Sequence, residues 1–490
     1  MNIIEATQSA DLFAPWFRKR DTWEAWLTFL SALFGLPLTP EELEFYKSCT
    51  GRTEAPAGPL AEGWLICGRR AGKSFILALI AVFLACFRDY RAHLQPGERA
   101  TIMVIACDRR QARVILRYIR GLLNGVPALK RLIERETAES FDLSGNVTIE
   151  VATTNFRTTR GYTLAAALCD EMAFWRSDDS FANPDAEILA ALRPAMATIP
   201  GAMLLCASSP YARRGALWDA FRRYHGNNDA PALVWKAPTR TMNPTVPQRV
   251  IDEAIERDPA FAAAEYLAEF RTDLEVFVSL EAIRACIKPD VRERLPERPH
   301  RYVAFVDPSG GTSDSMTLAV AHKEGSTAIL DCVRECKPPF SPEVVTQEFC
   351  DLARKYRCTK LVGDRYGGEW PREQVRNHGL NYEPADKTKS ELYIDLLPLI
   401  NSGACDLLDN ERLVSQLASL ERRTTRGGRD SIDHPPGAHD DIANAVAGAV
   451  VMAMKALAHR PGSRPIVHEG ISRYSPHTGA VQVEYQQRRF

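Results

Sequence analysis

The sequence predicts an α/β protein in two parts: a parallel sheet covered on both faces, then a mixed sheet with helices. Two observations carry this. In the first half, apolar runs of strand length alternate with helical stretches, as in a sheet buried on both faces. Past residue 296, three apolar runs follow in quick succession, then a helix and a fourth run. The 490 residues, 45% hydrophobic and 25% charged, are globular in composition and too many for one core. About 100–200 residues per domain gives two or three domains.

The elements follow in order. Trp64–Cys67 is a short apolar strand, followed by a glycine-containing loop and a helix from Ser74. The apolar run Phe75 to Phe87 is shorter than the ~20 residues a membrane helix needs, so it predicts a buried core helix and no membrane association. Thr101–Ala106 is a strand followed by a helix through Arg120. Val147–Ala152 alternates at period two, and Thr163–Cys169 and Met203–Ala207 are continuous apolar strands. The stretch 225–300 changes character, with proline-rich segments around one helix near Pro247–Phe270. Then Tyr302–Val306, Thr317–Ala321 and Ala328–Cys332 are strands, about Pro342–Tyr356 a helix, and Lys360–Gly363 a strand. Helices are expected at 390–401, 410–421 and 440–457. From His459 the chain has little periodicity and predicts a mobile tail.

The 61 Lys+Arg and 62 Asp+Glu give a net charge of −1. This excludes a uniformly basic or an acidic disordered chain, but not a local basic stripe for nucleic acid. Twelve cysteines without a CxxC pair predict reduced thiols and a cytoplasmic protein. The segment MNIIEATQSADLFAPWF lacks a basic-then-apolar leader pattern.

The strand Trp64–Cys67 runs into Gly68, Arg69, Arg70, Ala71, Gly72, Lys73 and Ser74, and a helix begins. A triphosphate needs converging backbone N–H groups, a Lys for the β/γ oxygens, a hydroxyl for Mg²⁺ and a helix N-terminus. All four are present, although Cys67 stands where the usual spacing has its first glycine. The strand Leu164–Leu168 leads to Cys169, Asp170 and Glu171. Adjacent carboxylates at the end of a buried strand are costly unless they meet a cation. Asp170 is expected to hold Mg²⁺ through water, and Glu171 to polarise the attacking water. Ser208 and Ser209 end the strand Met203–Ala207, placed to sense the γ-phosphate. Arg157, Arg160, Arg69 and Arg70 compete to stabilise transition-state charge.

A second site is expected from Asp307 and Asp364, at two strand ends, with Asp440 and Asp441 at a helix start. Such carboxylates suit two Mg²⁺ or Mn²⁺ ions cutting a phosphodiester. Arginines in 421–429, a glycine hairpin, and at Arg109, Arg110, Arg113, Arg117, Arg120, Arg213, Arg214, Arg222 and Arg223 are candidates for DNA phosphates.

As an ordered set, these motifs resemble the large terminase subunit of tailed bacteriophages, the DNA-packaging motor. They are GRRAGKS (68–74), ACDRRQA (106–112), RGYTLAAALCDE (160–171), CASSP (206–210), MNP (242–244), VDPSGGTSDS (306–315), GDRYGG (363–368), KTKSELY (387–393) and HDDIANA (439–445). The resemblance implies an ASCE-type P-loop ATPase domain (1–235), a linker subdomain (236–295), an RNase H-like nuclease domain (296–458) and a tail (459–490). It implies ATP and Mg²⁺ at residues 68–74, 170 and 208–209, with Arg160 the family's proposed arginine finger. Asp307, Asp364 and Asp440 or Asp441 match its nuclease carboxylates. Its partners would be double-stranded DNA, a portal protein and a small terminase subunit, with a pentamer on the portal in the bacterial cytoplasm. Two other readings are a helicase-nuclease of DNA repair and an inactive prophage remnant that only binds DNA.

Overall fold

Strand polarity and order set the positions of both candidate sites. The computed structural model describes residues 1–153, 161–175, 184–312, 314–364, 370–424, 430–435, 438–455, 470–474 and 481–485. The chain divides into two units. The first is Met1–Ala285 with Lys389–Glu391 and Asn410–Ala443; the second is Cys286–Thr388 with Leu392–Asp409 and Asn444–Phe490.

The first unit holds strands β1 (Glu62–Cys67), β2 (Ala100–Ala106), β3 (Ile133–Glu136), β4 (Ser140–Leu143), β5 (Val147–Thr153), β6 (Thr163–Asp170), β7 (Met203–Ser208) and β8 (Ala232–Ala237). Their order across the sheet is β3-β4-β5-β2-β6-β7-β1-β8. From β5 to β8 all neighbours are parallel, while β3, β4 and β5 pair antiparallel. Alternate residues serve two cores. Leu65, Cys67, Ile102 and Val104 enter one; Trp64, Ile66, Met103 and Ile105 enter the other. This is why the strands are apolar without alternation. The helix Lys73–Phe87 is buried continuously from Ile76 to Ala85, so its apolar run belongs to a core. The order places β7 between β1 and β6, the ASCE arrangement.

Local chemistry refines the sequence expectations. The single helix expected near Pro247–Phe270 is two, Gln248–Arg257 and Pro259–Leu267. Asp258 accepts from the Phe261 N–H and Pro259 occupies the first helical position, so a new helix starts there. The helix expected over 410–421 ends at Ser419, and Glu421–Thr424 pairs antiparallel with Asp430–Asp433. These strands form the expected hairpin; residues 425–429 lie outside the described residues. The same strand pairs with β9 (Leu274–Val276).

The second unit holds β10 (Ile287–Lys288), β11 (Tyr302–Asp307), β12 (Met316–Glu324), β13 (Thr327–Cys336), β14 (Lys360–Gly363), β15 (Asn381–Pro384) and β16 (Cys405–Leu408). Their order is β10-β16-β13-β12-β11-β14-β15. β11, β12 and β13 form an antiparallel meander. β14 then joins β11 in parallel and β15 joins β14, which is the RNase H-like plan. β16 and β10 extend the far edge. Gly448, in the helix Asp441–Lys455, packs directly on Phe305; a Cβ there would sit 2.2 Å from the ring.

Of the tail, Gly470–Tyr474 and Val481–Tyr485 pair antiparallel, where no element was expected; the rest lies outside the described residues. All twelve cysteines are free. No helix among the described residues is long and apolar enough to cross a membrane.

Candidate functional site

Three consecutive carbonyls of the loop after β1 are tied outward by side chains from elsewhere in the first unit. The Thr239 hydroxyl donates to the Arg69 carbonyl (2.9 Å), the Asn243 amide to that of Arg70 (2.8 Å) and the Trp26 indole to that of Ala71 (2.9 Å). Arg70 (φ 65°) and Gly72 (φ 108°) take left-handed backbone. Successive N–H groups in such a turn form a concave anion seat, and the helix Lys73–Phe87 adds its positive N-terminus. Gly68 is required by contact: a Cβ would lie 2.2 Å from Thr239 Oγ1 and 2.9 Å from two backbone carbonyls. Cys67 replaces the usual first glycine at no cost, because its side chain is fully buried in the core.

Lys73 Nζ is buried and held by four acceptors: the carbonyls of Cys67 (2.9 Å) and Gly68 (3.2 Å), Ser209 Oγ (3.1 Å) and Glu171 Oε1 (3.2 Å). Ser74 Oγ donates to Asp170 Oδ2 at 2.9 Å. Glu171 has left-handed backbone (φ 49°). Its Oε2 accepts from the Ser209 N–H (3.1 Å) and Ser208 Oγ (3.3 Å). The loop of β1 and the ends of β6 and β7 therefore converge, bringing together Lys73, Ser74, Asp170, Glu171, Ser208 and Ser209. Asp170 is fully buried, and among the described residues its Oδ1 has no hydrogen-bond partner. Burial, and secondarily the Glu171 charge, push its carboxyl up to about 6. An orphaned carboxylate oxygen beside a hydroxyl is the donor set a Mg²⁺ ion fits. Arg69 is largely exposed and pairs with Glu265 at 3.3 Å. Arg70 is exposed. Arg157 and Arg160 lie outside the described residues. A cavity of about 340 Å³ adjoins the loop, lined among others by Trp16, Trp23, Trp26, Gly72 and Asn243.

In the second unit, β11 and β14 pair with Val306 opposite Gly363. The next residues, Asp307, which closes β11, and Asp364, which follows β14, thus come at the same end of the two strands. Tyr382 donates to the Asp364 carbonyl at 2.9 Å. Burial pushes its phenol up, and the Asp364 and Asp307 charges add to this. Asn444 donates to Asp307 Oδ2 at 2.9 Å, while its own Oδ1 is buried without a partner among the described residues. Two carboxylates with a hard amide oxygen fit a divalent ion.

Asp440 precedes the helix Asp441–Lys455 and is buried. Within the first unit, Lys389 Nζ lies 3.0 Å from Asp440 and 2.7 Å from Asp433. Asp433, His434 and Asp440 turn donor atoms toward one another within 4.8 Å.

Comparison with solved structures finds several likenesses. One is the HK97 bacteriophage large terminase (TM-score 0.38, 16% identity, covering 85% of this chain and 95% of that one). Another is the large terminase of a thermophilic bacteriophage (TM-score 0.36, 12% identity, 84% and 99%). The large terminase nuclease of thermophilic phage G20c matches a smaller part (TM-score 0.31, 18% identity, 35% and 95%). These are phage large terminases. That is the family the motifs of this chain resemble. The second of these proteins has been solved with ADP and with ATP-γ-S, and the G20c nuclease with magnesium and with cobalt. No family model and no curated protein matches the chain.

Several residues escaped the sequence reading. Gln111 donates to Ser74 Oγ (2.9 Å) and Asp170 Oδ2 (2.7 Å). Trp26, Thr239, Asn243, Lys389 and Asn444 are the others. Gln111, Asn243, Lys389 and Asn444 lie inside motifs quoted above, a usable signal. Trp26 and Thr239 had none, because each acts only through a backbone carbonyl distant in sequence.

Proposed function

We propose that the chain is a terminase large subunit: an ATPase that drives double-stranded DNA into a procapsid, joined to a metal-dependent endonuclease that cuts concatemers. The observation that carries the reading is the meeting of Lys73, Ser74, Asp170 and Glu171 around a loop in which the carbonyls of Arg69, Arg70 and Ala71 are held by side chains from elsewhere in the unit. In this reading the loop amides and Lys73 bind the β- and γ-phosphates of ATP. Ser74 and Asp170 hold Mg²⁺, which supplies charge neutralisation for phosphoryl transfer. Glu171, fixed by Ser208 and Ser209, orients water and takes its proton. Ser209 is hydrogen-bonded to both Lys73 and Glu171, and Ser208 to Glu171, so the pair is assigned to register the γ-phosphate. The aromatic cavity beside Gly72 is the proposed seat of the base. Arg160 is proposed as the finger on sequence alone.

In the second unit Asp307 and Asp364 are proposed as ligands of Mg²⁺ or Mn²⁺, which activates water and stabilises the leaving oxygen. Asp440 and Asp441 are assigned to that chemistry from sequence. A portal protein, a small terminase subunit and a pentameric assembly in the bacterial cytoplasm belong to the same reading.

The test is a pair of assays on one preparation. DNA-stimulated ATP hydrolysis is expected to vanish in Glu171→Ala and survive in Asp307→Ala. Mn²⁺-dependent plasmid cutting is expected to do the reverse. A folded wild-type protein inert in both assays overturns the reading and leaves the prophage remnant. Strand separation by the wild type favours the helicase-nuclease.

A further inference from the structure

The helix Arg109–Gly125 has two opposed faces. Ile115, Leu116, Ile119, Leu122 and Leu123 are buried. Arg109, Arg113 and Arg117 recur every four residues on the other side and are all exposed. Such spacing puts them in one row, about 6 Å apart along the axis. Among the described residues none of the three has a carboxylate partner. The guanidinium Nε of Arg113 turns back to the Arg109 carbonyl, and that of Arg117 to the Arg113 carbonyl, each at 3.3 Å. The next arginine on the helix behaves differently: Arg120 pairs with Glu136 at 2.6 Å. A row of like charges repels itself, and among the described residues no ion pair offsets it; Asp108, next to Arg109, caps the helix instead.

The same helix is fixed to the nucleotide site. Asp108 caps its N-terminus by accepting from the Gln111 N–H (2.8 Å), and the Gln111 side chain reaches Ser74 and Asp170. The first turn therefore touches the residues proposed to hold Mg²⁺, while the row begins within that turn.

We propose that Arg109, Arg113 and Arg117 form a track for the phosphate backbone of double-stranded DNA. This rests on the proposed function, and it names the surface by which the ATPase unit grips its cargo. A duplex carries one charge per ~3.4 Å along each strand, so it satisfies a regular row of cations that has no acids between them. An acidic protein segment has no such repeat. Because Gln111 ties the helix to Ser74 and Asp170, a shift at the nucleotide site is delivered to the track as a rigid displacement.

The test is the salt dependence of binding to a duplex of random sequence. Each neutralised phosphate contributes about 0.9 to the log–log slope. The triple variant Arg109→Gln, Arg113→Gln, Arg117→Gln is expected to lower that slope by about 2–3. The triple lysine variant should retain the slope, and both should keep basal ATPase without DNA. A slope unchanged in the glutamine variant, with duplex binding by wild type intact, overturns the track alone. A wild type that hydrolyses ATP but binds no duplex overturns both the track and the packaging reading. Loss of slope in the lysine variant as well also overturns the track, since charge is then not what the row supplies.

Discussion

The Tyr211 hydroxyl donates to the Glu421 carboxylate at 2.9 Å, across 210 positions of sequence. Glu421 is almost fully buried, and Arg214 pairs with its other oxygen at 2.6 Å. Tyr211 follows Ser208, Ser209 and Pro210 directly, so the end of β7 is moored to the hairpin strand Glu421–Thr424. Removing the Glu421 carboxylate leaves the buried Tyr211 hydroxyl without its acceptor, which costs about 1–3 kcal/mol, while Arg214 is about a third exposed and regains water. Glu421→Ala is expected to destabilise the protein by that order in denaturant unfolding. Glu421→Gln should cost less, since the amide oxygen still accepts from Tyr211.

Both carboxylate oxygens of Glu171 are held by neighbours. Its Oε2 is fixed by the Ser209 N–H, leaving Oε1 beside Lys73. Glu171→Gln is expected to cut ATP turnover by about 10²–10⁴-fold while nucleotide binding persists. Single-turnover hydrolysis and binding of a fluorescent ATP analogue separate the two. Lys73→Ala should lose the binding itself.

Asp170 predicts a pH dependence in the metal-free protein. Burial and then the Glu171 charge raise its carboxyl to about 6, so the fold favours the neutral form. That preference contributes its full stability below about pH 4 and is lost as the pH rises through about 6. The rise corresponds to about 3 kcal/mol. Asp170→Asn should therefore be more stable than wild type at pH 7 in chelator, by up to that amount, and equal to it near pH 4. Denaturant titrations at the two pH values check this; equal stability at pH 7 contradicts it. The variant should lose hydrolysis.

Gly68 and Gly310 make a matched pair. Gly68→Ala places a methyl group within 2.2 Å of Thr239 Oγ1 and 2.9 Å of two carbonyls, whereas nothing lies within 4 Å of a Cβ at Gly310. Gly68→Ala is expected to displace the loop and weaken ATP binding at least about tenfold, equal to 1.4 kcal/mol. Gly310→Ala should leave ATP binding unchanged.

In the second unit Asn444→Ala removes a donor to Asp307 and a buried amide oxygen. Loss of a group that orients a metal ligand typically costs about 10–100-fold in metal affinity. The Mn²⁺ concentration for half-maximal plasmid cutting is expected to rise by that factor, with ATPase unaffected.

Much of this fold was legible because several of its central strands are uniformly apolar. β1, β2, β6 and β7 could be placed from composition alone, as could the carboxylates ending β6 and β11. β8 was missed: ALVWKA is short and lies between polar, proline-rich segments, so only its pairing with β1 reveals it. β3 and β4 carry charged residues at an edge and alternate too briefly to register. Within the proposed nucleotide site, the meeting of Lys73, Asp170 and Glu171 could be anticipated, since Lys, Asp and Glu in a strand–loop–helix setting have few other uses. The groups that hold the loop could not. Thr239 and Trp26 are ordinary residues, and their role exists only once the chain has folded.

Cys67 ends β1 with its side chain in the core, and beyond it the tethers on Arg69, Arg70 and Ala71 orient the peptide planes of the loop. Where peptide planes are oriented from outside, flexibility at that position has little left to do. Glycine content is then a poor marker for such cradles, and chains that orient their amides by remote side chains will be overlooked by any search keyed to glycine spacing. A better search would ask for hydroxyl, amide and indole donors brought to three successive carbonyls.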